Sequence, residues 1–468
     1  MKPVFDNMNL KMAKWFWLIA IIDLIIIQLS TSTCDSGDSV LHYLQAKQAF
    51  HYPKYFFDHW SKPMFVLLAS PFAFWGFAGM KLFNSLCVLL SVWVVFKYTA
   101  QKSTLAWITI PLGILAPELF WSQTSGLTEP LFALVLVLSV TLYLNNKRIT
   151  ALILVSFLPF IRSEGWLILP VFALVELLNK RLKPILLITI GHLVYGIIGW
   201  FVYADFLWMF HQNPYQGIEE KYGSGALFHF VEQTPYLLGF PLLVAFVLGL
   251  LFSLVQLKKK LEQPETSQTL LIYGIISIFY IAHSLFWYLG LFHSFGLKRV
   301  FIAIIPLILI VGLEGLENLL LLFPAAKTRS RIITVALILV LIFPFTKNKM
   351  ALGLPQNYRL EPEQVLINTA VNWLQSSSYK KNTVSYANHY FVMPLEVDMD
   401  NPQQVLALGL AKQNYLPKGT IVFWDSYFAP SDQGVAQSFF EKNEDYKLLK
   451  EFTTTNGNYR IAVYQKIN

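Results

Sequence analysis

About eleven apolar runs, each near the length a helix needs to cross a hydrocarbon core of about 30 Å, alternate with short polar connections through the first three quarters of this chain. They fall at residues 15–29, 80–98, 105–121, 127–144, 149–161, 166–178, 184–203, 236–257, 270–289, 300–320 and 332–345. A further apolar stretch, 64–78, is broken by Pro63, Pro71 and Gly76 and is expected to lie in the membrane interface. After residue 347 the pattern changes to shorter segments. Helix-like stretches at 361–375, 401–413 and 431–442 alternate with strand-like ones at 383–386, 420–424, 446–452 and 459–465, the last two flanking the hairpin signal Asn456-Gly457. The expected fold is a polytopic α-helical membrane domain over residues 1–346, followed by a small soluble α/β domain over 347–468.

Charge sets the expected orientation, because Lys and Arg near the ends of spans stay on the cytoplasmic side. The clusters Lys2/Lys11/Lys14, Lys97/Lys102, Lys147/Arg148, Lys180/Arg181/Lys183, Lys258/Lys259/Lys260 and Lys327/Arg329/Arg331 occupy every second connection. This predicts a cytoplasmic N-terminus and an extracytoplasmic tail domain; a bacterial inner membrane, with the tail on the periplasmic side, is the expected setting. The first run carries Asp23 and Gln28 and is followed by no small-x-small site, so it reads as a retained anchor rather than a cleaved signal.

Composition agrees: 55% of the 468 residues are hydrophobic, 14% are charged, and mean hydropathy is +0.50. The net charge of +8 comes from those separated clusters rather than one basic face, which argues against a nucleic-acid partner. Cys34 and Cys87 are poorly placed to pair, so no disulfide framework is expected. No glycine-rich phosphate loop, metal-ligand spacing or short repeat is present.

The expected outer face gathers the polar residues that composition leaves unexplained. Carboxylates are costly beside a bilayer, so Asp35 and Asp38, soon after the first span, mark a candidate site in a large first loop over residues 32–79. Asp38 could serve as a base on an acceptor hydroxyl or amine; alternatively it and Asp35 form a turn that caps the helix beginning near Ser39. The same loop holds His42, His51, Asp58, His59 and Lys62. Glu129 suits either a site or the first turn of a helix, where its charge meets the positive dipole end. Arg162 could pair locally with Glu164, and Arg299, beside Lys298, could anchor a helix at the interface. His283 lies within a span, where a substrate contact or a satisfied intramembrane hydrogen bond are the two readings. His293 is a further outer-face candidate. Asp23, Glu176, Glu314 and Glu317 are expected to face other helices or the inner interface, and Trp208, His211, Tyr215, Tyr222 and His229 an interfacial aromatic belt.

Several of these motifs, in order, resemble the C-type (GT-C) integral-membrane glycosyltransferases. The segment Asp38-Ser-Val-Leu-His-Tyr-Leu-Gln-Ala is similar to the family's first-loop motif, in which an Asp precedes a helix along the membrane. Asp58-His59-Trp-Ser-Lys62-Pro63-Met-Phe resembles the segment that closes that loop in protein mannosyltransferases and aminoarabinose transferases. Gly126-Leu-Thr-Glu129-Pro130, Arg162-Ser-Glu164-Gly165-Trp166 and Gly296-Leu-Lys298-Arg299 resemble later elements. Two departures stand out: Ser39 replaces a second acidic residue common in the family, and Met64 replaces a proline.

The resemblance implies transfer of a sugar, with inversion, from a polyprenyl-phosphate donor to a glycan, lipid or protein acceptor in the cell envelope. It implies Asp38 as the base with Asp35 as its substitute, and Arg299, Lys298 and Arg162 on the leaving phosphate. Glu129, Glu164, His59, Lys62, His283 and His293 are the remaining substrate-binding candidates. A divalent metal is left open, with no ligands assigned. The rival readings are a carrier or flippase for a lipid-linked saccharide, and a polysaccharide polymerase.

Overall fold

The computed structural model describes residues 2–214, 223–260, 265–354 and 356–468. Among the described residues it divides into two compact units, Met1–Ser30 with His42–Asn357, and Thr31–Leu41 with Tyr358–Asn468. The boundary expected at 346/347 thus lies some residues later, and part of the first loop belongs with the tail.

The first unit is helical. Among the described residues, seven helices are long and apolar enough to cross a membrane: Asn9–Leu29, Gly76–Thr99, Leu182–Tyr203, His229–Val255, Thr266–Leu289, Lys298–Leu321 and Ala326–Phe345. Shorter apolar helices run over Pro63–Ala73, Glu129–Leu144, Arg148–Phe160 and Gly165–Leu178. The chain is an integral membrane protein. The run 105–121 is not the single span its hydropathy suggests. It breaks into Ala106–Ile108, Thr109–Ile114 and Pro117–Ser122, because Ala116 is held extended ahead of Pro117.

One crossing fixes the helix that carries Arg299. Lys298–Leu321 packs along His229–Val255, and small residues let the two backbones approach. A Cβ on Gly249 would stand 2.2 Å from Val311 O, and one on Gly315 would stand 2.3 Å from Gly249 N. Such close approach between membrane helices is the usual role of small residues at their interfaces.

The second unit is built on a five-stranded sheet in the order β2-β1-β3-β5-β4, with β1 Val384–Tyr386, β2 Val405–Ala407, β3 Ile421–Asp425, β4 Tyr446–Thr453 and β5 Arg460–Lys466. Strands β2, β1 and β3 are parallel, and β5 runs antiparallel to both β3 and β4. The Asn456-Gly457 turn joins β4 to β5, with Gly457 at φ 74. Residues 401–413 are not helical throughout: Val405–Ala407 pairs with β1, so a tertiary ladder overrides the local pattern. Trp424, Phe440, Tyr446 and Tyr464 anchor the core. The first-loop segment is bound into this unit by Thr31 N donating to Tyr358 O (3.1 Å), Gln364 Nε2 to Thr33 Oγ1 (2.6 Å) and Ser36 Oγ to Glu363 Oε1 (3.0 Å).

Candidate active site

The membrane unit brings together side chains from five separate stretches of chain. The connection between helices Arg148–Phe160 and Gly165–Leu178 is so tight that a Cβ on Gly165 would lie 2.3 Å from Pro159 N, and only glycine fits. That turn presents Arg162, Ser163 and Glu164. The Arg162 guanidinium meets Glu164 Oε1 at 2.7 Å, Glu129 Oε1 at 2.8 Å and the Thr128 hydroxyl at 2.8 Å. Glu129 opens the helix Glu129–Leu144. Its Oε1 also lies 3.5 Å from Nε of Arg299, at the start of the Lys298–Leu321 helix.

The fourth stretch is the end of the first loop. Asp58 Oδ1 accepts from the Ser61 amide (2.7 Å) and hydroxyl (3.0 Å), and this turn delivers Lys62, whose Nζ donates to Ser163 Oγ at 2.9 Å. Lys62 is 5% exposed and holds a positive φ of 65°. His283, on Thr266–Leu289, interacts electrostatically with Glu164 and Arg162. Its ring is surrounded by Phe230, Phe279, Phe286 and Phe301. The satisfied hydrogen bond that one reading of His283 required is not made at Nε2, which has no partner among the described residues.

The electrostatics follow from burial. Desolvation opposes the charge on Glu164, yet Arg162 and His283 hold its carboxyl at about 2. Burial likewise disfavours charge on Arg162, but Glu129 and Glu164 more than offset it and raise its basicity. Burial pushes the Lys62 ammonium down to about 7, with Arg162 adding to the effect while Glu164 and Asp58 oppose it. Beside it, burial and the charge of Lys62 push His59 down to about 3. Three cations, Arg162, Arg299 and Lys62, stand against Glu129 and Glu164, with the Asp58 carboxylate also acting on Lys62. Glu129, 1% exposed, has an Oε2 with no hydrogen-bond partner among the described residues. A buried oxygen left unsatisfied is uncommon and fits a polar ligand.

Of the residues singled out from sequence, Glu129, Arg162, Glu164, Arg299, Lys62 and His283 belong to this assembly, and His59 adjoins Lys62. Lys298 is paired with Glu118 at 2.8 Å. Glu118 was missed because it lies inside the run read as a continuous span; the Pro117-Glu118 pair, a common helix opening, was the available signal. His293 has a left-handed backbone in the connection before Lys298.

Asp35 and Asp38 belong to the second unit. Asp35 Oδ1 accepts from the amides of Gly37 (2.8 Å) and Ser39 (3.0 Å), capping the helix Asp38–Gln48, which Asp38 opens. His389 faces Asp38 and Asp432; burial lowers its basicity and those carboxylates oppose the effect. Among the described residues no group of three or more His, Cys, Asp or Glu is placed to hold a metal ion. Trp208 is fully buried against Phe160 and Tyr195 rather than lying in a belt, while Tyr215 and Tyr222 lie outside the described residues. Asp425 accepts from the amides of Tyr427 and Phe428 and closes a turn.

No family model matches the chain, and no curated protein matches it. Among solved structures it is similar to the crystal structure of ArnT from Cupriavidus metallidurans in the apo state, with a TM-score of 0.59 over 97% of each chain at 11% sequence identity. The chain therefore has a GT-C-like fold, as the sequence motifs implied.

Proposed function

We propose that this protein is a membrane glycosyltransferase that transfers a sugar from a polyprenyl-phosphate donor to an extracytoplasmic glycan, lipid or protein, with inversion. The observation that carries the reading is the buried cluster of Arg162, Arg299 and Lys62 around Glu129 and Glu164, in a chain whose fold is that of ArnT, an aminoarabinose transferase. Its three cations would face the phosphate of such a donor. Arg and Lys in a water-poor site stabilise the charge that develops on a leaving phosphate. Glu129 and Glu164 hold the guanidinium in place, and Oε2 of Glu129 is available to a sugar hydroxyl. Asp38 is assigned as the base on the acceptor and Asp35 as the cap that fixes its helix. The alternation of basic clusters supports an outer-face location for this chemistry.

The test is transfer from a panel of radiolabelled polyprenyl-phosphate sugars, in membranes holding matched amounts of wild type, Asp38→Asn or Arg299→Gln. A donor-dependent product made by the wild type and lost in both variants is the expected result. Wild type that transfers from no donor, yet moves lipid-linked sugar across vesicles as both variants do, would replace the enzyme with a carrier.

A further inference from the structure

A second polar assembly occupies the other end of the Lys298–Leu321 helix. Residues 300–313 contain no ionisable side chain, so roughly 20 Å of apolar helix separates it from Arg299. Here a cavity of about 560 Å³ is lined by residues that include Lys260, Glu265, Glu314, Glu317 and Arg329. Its size falls in the range of small-ligand sites. One wall is fully organised: Glu314 accepts from Lys260 (2.7 Å), Tyr273 (2.5 Å) and Gln268 (3.2 Å), and Tyr273 in turn accepts from Ser253 (2.6 Å).

The opposite requirement holds for Glu317 and Arg329. Glu317 accepts from the Ser103 hydroxyl, and no cation among the described residues stands within ion-pair distance of it. Arg329 donates through Nε to Phe323 O at 2.5 Å, which leaves its two terminal nitrogens without an acceptor among the described residues. Two cations and three carboxylates line the cavity, and Lys102, whose Nζ donates to Gln268 at 3.0 Å, stands just behind the Glu314 wall. Leu105, Leu320, Leu321 and Ile333 add apolar lining among Thr104, Gln256, Thr269 and Asn318; Leu320, Leu321 and Ile333 belong to two of the membrane-length helices, and Leu321 is exposed. A cavity that joins charged groups to apolar residues of two membrane-length helices suits an amphiphile better than a soluble metabolite.

We propose that this cavity binds the head group of an amine-bearing zwitterionic phospholipid, its ammonium on Glu317 and its phosphate on Arg329. A primary ammonium donates hydrogen bonds to a carboxylate; a quaternary one does not. An anionic head group without an amine leaves Glu317 without a cation and repels it.

The test uses purified full-length protein in mixed micelles containing phosphatidylethanolamine, phosphatidylcholine and phosphatidylglycerol with identical acyl chains, with retained lipid counted by native mass spectrometry. The wild type should retain phosphatidylethanolamine about tenfold over either competitor, and Glu317→Gln and Arg329→Gln should each bring the ratio to within about twofold. Equal retention of the three lipids by the wild type, or an unchanged ratio in the variants, overturns the proposal. If Glu317→Gln fails to fold, Arg329→Gln decides alone, since that side chain sits at the end of its helix. Soluble O-phosphoethanolamine should fail to displace the lipid at equal concentration; displacement would assign the site to a free phosphoamine instead. Sugar transfer plays no part in these readouts, and Arg329→Gln should leave it unchanged.

Discussion

Replacing Arg162 by Met removes the charge that joins the cluster and keeps an unbranched side chain of similar reach. The guanidinium spans Glu129 at 2.8 Å and Glu164 at 2.7 Å, and the three side chains are 16, 1 and 15% exposed. At an effective dielectric of about 20, each such pair attracts by about 6 kcal/mol. Most of that attraction offsets the desolvation of the three ions, so the net effect of Arg162→Met is set by the carboxylates it strands. Breaking a buried pair from one side costs about 3–5 kcal/mol. Glu129 keeps Arg299 at 3.5 Å, which points to about 4 kcal/mol rather than a doubled loss. Adding Glu129→Gln removes one stranded charge, so the double variant should recover about 2 kcal/mol over Arg162→Met alone, a strong coupling between neighbours. Sugar transfer should stay lost in both. The assay is reversible unfolding in mixed micelles with increasing SDS, read by tryptophan fluorescence, with donor transfer measured on the same preparations. A loss under about 1 kcal/mol for Arg162→Met would make these pairs equivalent to surface ones. A double variant no more stable than the single would show that Arg162 does not hold Glu129.

Burial brings the Lys62 ammonium near neutrality, so under the proposed function donor binding should depend on pH. With its ammonium at about 7 rather than 10.5, affinity for an anionic donor should be highest below pH 7 and fall above it. Lys62→Arg should flatten the donor KM profile between about pH 6 and 9, because Arg stays charged. The same shift has the opposite effect on stability, which should rise from about pH 7 towards 10.5 as the buried charge is relieved. Lys62→Gly, by contrast, should fold at least as well as the wild type, since glycine accepts φ 65 freely, while losing donor affinity. Gly165→Ala should destabilise by about 3 kcal/mol and reduce transfer, because the added Cβ meets backbone at Pro159 and Leu158 that cannot turn aside. In the tail unit, burial and the neighbouring Glu363 raise the Glu361 carboxyl above its usual 4.5. Its contribution to holding the first-loop segment is complete at acid pH and lost as pH rises through the raised value. Hydrogen exchange at the Thr31 amide should therefore quicken with pH beyond the intrinsic rate, and Glu361→Gln should remove the excess.

Much of the membrane unit was legible because a bilayer makes polar residues conspicuous. Glu129, Arg162, Glu164 and Arg299 each flank an apolar run, and charge there is rare without a partner. What linear reading could not supply was which of them pair. Thr128 and Arg162 are bonded across 34 positions, and Lys62 with Ser163 across 101. The break at Ala116 was missed because hydropathy averages over it, although Pro111 and Pro117 were in view. In the tail, the hairpin at Asn456-Gly457 was readable from two residues with a local geometric need. Strand β2 was not, since a three-residue segment becomes a strand only when β1 is beside it. The docking of Thr31–Leu41 was hidden for a similar reason: its partners Tyr358, Glu363 and Gln364 lie more than 320 positions away, and nothing in the loop's own pattern names them.

Lys62 is where the demands of folding and of function separate most clearly. A non-glycine residue at φ 65, ψ 96 carries backbone strain on the order of 1–3 kcal/mol. Its ammonium is buried where its charge is disfavoured, and Arg162 adds repulsion. A leucine or methionine would fill the same space without the desolvation, and a glycine would relieve the backbone. Against these costs the protein sets the Asp58 turn, which fixes the approach to Lys62, and the Ser163 hydroxyl, which holds its Nζ. Both supports act on position rather than on packing. Strain that a fold does not need persists only where the surroundings over-determine it, and such places cluster at ligand sites. The position so defended lies beside Arg162 and Glu164, so an anion bound there would restore the ammonium to its ordinary charge and turn each of these costs into binding specificity.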